Sequence, residues 1–125
     1  MNYESMSDFE INKAVAISVG FQCYYGDGSY TNNLGLRGAV VKGKNDSGLF
    51  MVGEFNPCNN PADAWRIISD NRISLIYDQS TEKGEEAQWC LASSPCDPHI
   101  VYYISPSKIL RAAMIVFLEM QEAKK

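Results

Sequence analysis

The sequence predicts a single compact α+β domain in which about three helices pack on an antiparallel or mixed sheet. Three observations lead to this fold class: a capped helix near the start, strand-like segments separated by turns, and a long apolar helix near the end. The chain has 125 residues, of which 46% are hydrophobic and 21% charged. These values are typical of one globular domain. We therefore assign residues 1–125 to one domain.

The first helix is predicted from its N-terminal cap. Ser7 precedes Glu10 by three residues, which is the spacing of a capping box. Apolar residues then recur near helical spacing, and Gly20 favours a C-terminal stop. We expect a helix over residues 8–19.

The predicted strands are aromatic and β-branched patches separated by Gly, Asn, Asp and Pro. Between the first three strands, residues 26–33 and 43–48 are rich in turn formers, and the first of these loops is long enough to bind a ligand. The six predicted strands cover residues 21–25, 38–42, 49–55, 72–78, 88–92 and 100–104.

A second helix is predicted over residues 61–70. Asn60 suits the N-cap position and Pro61 the first helical position, and an acidic residue, Asp63, follows in the first turn. The helix is expected to end near Asn71.

The last helix is expected to open at Ser105 and to run to about residue 123. Between residues 109 and 120 only Arg111 and Glu119 are charged, so the helix is apolar around most of its circumference. Such a helix must be covered on more than one side. Because a domain of this size has limited material for that purpose, we expect a homo-oligomer in which a second subunit covers part of the C-terminal helix.

The charge pattern excludes several classes of function. The net charge is -4 and the basic residues are scattered, whereas binding to duplex nucleic acid needs clustered Lys and Arg. Residues 1–10 are acidic and polar, unlike a signal peptide. The longest apolar run, residues 109–118, is too short to span a membrane. We expect a cytoplasmic protein that binds neither duplex nucleic acid nor membranes.

The cysteines and the single histidine offer little for catalysis or metal binding. The four cysteines form no C-x-x-C pair, and the closest grouping, Cys90, Cys96 and His99, has loose spacing for zinc. We predict no metal, no cofactor and no catalytic residue. A small hydrolase that uses His99 with Cys90 or Cys96 is retained as a minor alternative.

The strongest candidate for ligand binding is the segment 55–65. Its asparagines are held in a stiff frame by two prolines, and an indole follows one helical turn later. Amide groups can pair with the edge of a planar polar ligand, and Trp can stack on its face. The alternative is that the asparagines only cap the helix and that the indole packs in the core. The candidate ligand-binding residues in this segment are Asn56, Asn59, Asn60 and Trp65.

Arg111, Tyr24 and Tyr25 complete the candidate site. Arg111 interrupts an apolar run, and a buried guanidinium needs an anionic or acceptor-rich partner. That partner could be a ligand, or else Asp63, Glu119 or a neighbouring subunit. Tyr24 and Tyr25 adjoin a Gly-rich turn and could line a pocket, although half-buried strand tyrosines would explain them equally.

Several blocks of sequence resemble the NinX family of small proteins from temperate phages. They are SDFEINK at residues 7–13, FNP at 55–57, NPADAW at 60–65, NRIS at 71–74 and LRAAMIVFL at 110–118. The resemblance spans almost the full chain and implies a phage or prophage origin and a bacterial cytoplasm. It supplies no mechanism, but small phage accessory proteins often disarm host defence.

Two functional hypotheses follow. The first is a non-enzymatic binding protein that sequesters a small nucleotide-like ligand or otherwise counters host defence. The second is a protein-interaction factor that inhibits or adapts a host protein, which the acidity of the chain and the apolar last helix would suit.

Overall fold

The computed structural model describes residues 2–20, 22–24, 39–44, 50–80, 83–84, 87–96 and 98–124, and for residues 22–24, 39–44 and 50–54 it describes the backbone. Within these ranges the chain forms three α-helices, six strands and two short 3-10 helices. The α+β class is confirmed.

Helix α1, Asp8–Ser18, begins at the predicted capping box. The backbone N–H of Glu10 donates to Oγ of Ser7 (3.2 Å), and the N–H of Ser7 donates to the Glu10 carboxylate (3.4 Å). Beyond the C-cap, Gly20 adopts φ 94°, a left-handed conformation that glycine accommodates without strain. The predicted helix is therefore confirmed to within one residue.

The strands form two sheets rather than the single sheet that the sequence analysis expected. Each sheet has three antiparallel strands in the order of the chain, β1-β2-β3 and β4-β5-β6, and no ladder joins the two among the described strands. Helix α2 follows β3 and separates the two runs of strands along the chain. The bounds are Gln22–Tyr24, Ala39–Lys44 and Phe50–Phe55 for β1 to β3, and Ser74–Gln79, Gln88–Ser93 and Ile100–Tyr103 for β4 to β6.

Two strand boundaries differ from the prediction for physical reasons. β2 continues through Gly43 and Lys44, two residues beyond its predicted end, because these residues pair with β3. β4 starts two residues later than predicted because Arg72, at φ 54°, still belongs to the turn that ends α2. The predicted loop at residues 26–33 lies outside the described residues.

Helix α2, Pro61–Asp70, confirms the predicted cap and bounds. Oδ1 of Asn60 accepts a hydrogen bond from the backbone N–H of Ala62 (3.0 Å), and Pro61 occupies the first helical position. The last helix is divided: Pro106–Lys108 forms a 3-10 turn, and α3 follows over Ile109–Ala123.

Helix α3 is the centre of the molecule. It packs against α1 and α2 on one side and against the second sheet on the other, while α1 also packs against β1 and β2. Residues 111–118 are all buried, which confirms that this apolar helix is covered on more than one side. Because elements of the same chain bury α3, a second subunit is not needed to cover this helix. The expected homo-oligomer stays a prediction.

Helix α3 has 15 residues. In the described part of the chain, no helix is both long and apolar enough to cross a membrane.

Candidate functional site

Arg111 lies near the start of α3, and its guanidinium is largely buried, with 11% of the side chain exposed. Nη1 donates to Oδ1 of Asp8 at 2.6 Å, and Nε donates to Oη of Tyr103 at 2.8 Å. Burial alone would lower the pKa of Arg111, but the hydrogen bonds to Tyr103 and Asp8 raise it. Arg111 therefore stays charged inside the protein.

The other end of the guanidinium binds the backbone that precedes α1. Nη2 donates to the carbonyl oxygen of Met6 at 2.6 Å and to that of Glu4 at 3.2 Å. The sequence analysis proposed Asp63 or Glu119 as internal partners for Arg111, and that was wrong. The partner is Asp8, 103 residues away in the chain, a distance at which spacing gives no signal.

The corner at residues 56–60 is held by a buried asparagine of α1. Nδ2 of Asn12, which is fully buried, donates to Oδ1 of Asn56 (2.8 Å), and the backbone N–H of Cys58 donates to Oδ1 of Asn12 (3.0 Å). The backbone N–H of Asn56 in turn donates to the Asp63 carboxylate (2.9 Å). Asn56 is thus committed to the fold of the corner.

The two other asparagines have different roles. Asn60 is the N-cap of α2, as the alternative interpretation had it. Asn59 is exposed, and its Nδ2 donates both to Asp8 (3.1 Å) and to Asn56 (3.0 Å). Asn59 therefore connects the corner to the ion pair that Arg111 forms.

A polar cleft of about 690 Å³ opens beside Arg111, and we call it the Arg111 cleft. Its volume lies within the range typical of small-molecule sites. Its walls come from the start of α1, the corner at residues 56–60 and the start of α3. The polar side chains that line it belong to Glu4, Ser7, Asp8, Asn59, Tyr103, Ser107, Lys108 and Arg111.

Some charged groups in the Arg111 cleft are engaged in ion pairs, and others can interact with a ligand. Asp8 and Arg111 neutralise each other, whereas no carboxylate pairs with Lys108 among the described residues. Nζ of Lys108 lies 5.3 Å from the ring centroid of Tyr103, in a cation–π arrangement. Exposed Glu4 adds a carboxylate to the same cleft.

Trp65 lies in a second groove, not in the core. Trp65 is 64% exposed, so the alternative interpretation, in which the indole packs in the core, was wrong. The groove has a volume of about 350 Å³, and we call it the indole groove. Its walls are mostly apolar and include Pro61, Leu75, Tyr77 and Leu110.

The structure thus separates the residues that the sequence analysis grouped. Asn59 and Arg111 share the Arg111 cleft, whereas Trp65 lies in the indole groove. Tyr25 and the side chain of Tyr24 lie outside the described residues.

The sequence analysis missed Lys108, Tyr103 and Tyr77. Lys108 could have been found, because it lies three residues before Arg111 and so shares its side of a helical turn. Tyr77 could not, because only the packing of β4 beside α2 and α3 brings it near Trp65.

The thiols and the histidine are poorly placed for nucleophilic catalysis. Burial and then the nearby Asp8 raise the pKa of Cys58 to about 12, and burial also raises the pKa of Cys90. Nδ1 of His99 lies 3.3 Å from the Glu119 carboxylate. Within the described residues no three His, Cys, Asp or Glu side chains cluster as a metal site would require.

The family of this chain is shown by its match to a known protein family. The model of the family "Bacteriophage P22, NinX" matches residues 2–121, which is nearly the whole chain. The chain belongs to the Bacteriophage P22 NinX family. This NinX-family chain is therefore a phage accessory protein, and the resemblance predicted from the sequence blocks is confirmed.

Among solved structures, the NinX-family chain is similar to the crystal structure of a phage protein from Bacillus cereus ATCC 14579. The two share 16% sequence identity, with a TM-score of 0.47 over 90% of this chain and 88% of the other. No curated protein matches the chain at a significant level.

We predict that Arg111→Met lowers the free energy of unfolding by about 3 kcal/mol, because it leaves the partly buried Asp8 without its cation. Arg66→Met is the matched control. Arg66 pairs with Asp70 at 3.5 Å on the surface, where the two side chains are 90% and 64% exposed, so its loss is expected to cost less than about 1 kcal/mol. Urea unfolding followed by circular dichroism measures both, and equal effects would contradict the structural role of Arg111.

We also predict that the thiols react at very different rates. In a Cys23→Ser variant at pH 8, exposed Cys96 should react quickly with Ellman's reagent, while Cys58 and Cys90 should wait for unfolding. At a pKa of about 12, Cys58 carries roughly a thousandfold less thiolate than an ordinary cysteine. All three should react at once in denaturant, and equally fast reaction of all three in the folded protein would show that the burial is wrong.

Proposed function

We propose that this phage accessory protein is a non-enzymatic binding protein that sequesters a small phosphorylated ligand, of the sugar phosphate or nucleotide class, in the Arg111 cleft. It would act in the cytoplasm of the infected bacterium, where removal of such a ligand can blunt a nucleotide signal of host defence. The observation that carries the proposal is that a cleft of about 690 Å³ is lined by both the Arg111 guanidinium and the ammonium of Lys108, which pairs with no carboxylate among the described residues.

The hydrogen-bonding groups of the cleft suit a phosphate. The bond from Arg111 to Asp8 uses one of the two N–H groups on Nη1, and the second can serve as a donor to a ligand. Oη of Tyr103 accepts from Arg111, and its own O–H can donate into the cleft. Together with Lys108 these groups provide charge-assisted donors of the kind that phosphates attract.

The remaining polar groups suit the hydroxyls of a sugar. The carboxylate of Glu4 can accept hydrogen bonds from a ribose, as acidic residues do in many nucleotide sites. Ser7 and Ser107 add hydroxyls that donate or accept. A bare anion would leave Glu4 repelling it, so the mixed charge of the cleft favours a ligand that carries both a phosphate and hydroxyl groups.

The thiol that lines the cleft is not an activated nucleophile, which supports binding rather than turnover there. Cys58 faces the Arg111 cleft, but a thiol with a pKa of about 12 stays protonated at neutral pH. No hydrogen bond joins the side chain of His99 to a cysteine among the bonds of the described residues.

The proposal predicts that calorimetry detects binding of at least one member of a panel of linear and cyclic nucleotides and sugar phosphates. Lys108→Gln should weaken that binding by about 10-fold, the value of one charge-assisted hydrogen bond. Lys124→Gln is the matched control, because it removes the same charge about 24 Å away, near the other end of α3. Absence of heat from every ligand, or equal losses in both variants, would rule out this site.

A second candidate function is protein binding through the outer face of the second sheet. Ile76, Leu91 and Tyr102 lie opposite one another on the three strands. Exposed Ile100, two residues before Tyr102 on β6, lies on the same face. Ile76 and Tyr102 are 45% and 52% exposed. An antiparallel sheet normally presents polar side chains to water, so this apolar face favours a protein partner.

If this face binds another protein, the Tyr102→Lys and Ile76→Lys variants should lose the complex and remain folded, since both side chains are exposed. Light scattering after size exclusion tests whether the partner is a second copy of the chain. In that case the measured mass should be twice the chain mass for the wild type and equal to the chain mass for the variants. Recovery of proteins from host lysate, with amounts compared between the wild type and the variants, tests whether the partner is a host protein. A monomeric wild type whose recovered proteins match those of the variants would eliminate this candidate.

A further inference from the structure

The indole groove adjoins the Arg111 cleft. Ser107 lines both, and Asn59 of the cleft and Pro61 of the groove are two residues apart in the chain. Because the two cavities share a lining residue, one ligand could extend from the cleft past Ser107 into the groove.

The start of the last helix explains why two chemically different cavities meet here. Lys108 and Arg111, three residues apart, line the Arg111 cleft, whereas the apolar residues Ile109 and Leu110 line the indole groove. Residues with this spacing lie on one side of a helical turn, and consecutive residues are rotated by about 100°. One turn of chain thus presents a cationic side to one cavity and an apolar side to the other.

The groove is built from flat, exposed surfaces. Trp65 and Tyr77 are 64% and 61% exposed, although large aromatic side chains are normally well covered. Both line the groove, together with Pro61 and Leu75. Flat aromatic and apolar walls suit a nucleobase, because each of the four bases has a π-face that can stack on an aromatic ring.

From these observations we infer that the indole groove binds the base of a nucleoside phosphate whose phosphate lies in the Arg111 cleft near Lys108. This inference rests on the proposed function and narrows its ligand class from phosphorylated compounds in general to nucleotides. The sugar spans the boundary at Ser107, and Trp65 supplies the stacking surface.

The test compares ligands that differ only in the base. In a Trp89→Phe variant, Trp65 is the sole tryptophan, so its fluorescence reports the groove. Calorimetry and fluorescence are followed for AMP, GMP, CMP and UMP, and for ribose 5-phosphate, which lacks a base. We expect nucleotides to bind about 5- to 150-fold more tightly than ribose 5-phosphate and to quench Trp65, as stacking on an aromatic ring would produce.

Substitutions then assign the effect to each cavity. Trp65→Ala should abolish the advantage of nucleotides and leave the affinity for ribose 5-phosphate unchanged, and Trp65→Phe should restore part of it. Ile17→Ala is the control, because Ile17 is an exposed, large apolar residue of α1 that lines neither cavity. Lys108→Gln should weaken the binding of nucleotides and of ribose 5-phosphate by the same factor.

The possible failures are distinguishable. Equal affinities for nucleotides and ribose 5-phosphate, with unchanged Trp65 emission, would overturn the base site and leave the proposed function standing. Nucleotide binding that depends on Trp65 but not on Lys108 would instead overturn the phosphate site. Absence of binding by every ligand in the panel would overturn both.

Discussion

The guanidinium of Arg111 joins three parts of the protein that are far apart in the chain. It emerges from the central helix and binds the Asp8 carboxylate, the hydroxyl of Tyr103 on β6 and the carbonyls of the segment before α1. This fixes α1 along α3, which in turn places Asn12 where it can hold Asn56 and the backbone of Cys58. The corner that presents Asn59 to the cleft thus depends on an ion pair at the start of α1, one helical turn before Asn12.

The same geometry divides structural from available polar groups. Asp8, Asn12 and Asn56 are engaged in the hydrogen bonds that define the fold, and Asn60 is engaged in capping α2. The groups left for a ligand are Lys108, the O–H of Tyr103, the second N–H on Nη1 of Arg111, and the side chains of Glu4, Ser7 and Ser107. Buried polar groups stabilise a fold only when their hydrogen bonds are satisfied, and a fully satisfied network is rigid. The few donors that such a network leaves at its surface are therefore held in fixed positions, which favours selective binding.

Local signals in the sequence accounted for most elements but not for how they assemble. Caps such as Ser7 and Asn60 and the apolar run of α3 act over a few residues, so helix positions could be predicted closely. The division into two sheets depends on which strands pair, and the Asp8–Arg111 contact joins residues 103 apart. For Trp65, the helix position was predicted, but the sequence left both an exposed and a buried indole open, because exposure depends on which neighbours cover α2.

The wall of the Arg111 cleft that lies before α1 is held in two ways: its backbone carbonyls accept from Arg111, and Tyr3 is buried in the core. Detaching this wall would remove acceptors from a buried guanidinium and would expose an aromatic ring to water, so local opening here is costly. The residence time of a guest molecule in the cleft would then be governed by its own contacts with the exposed groups rather than by movement of this wall.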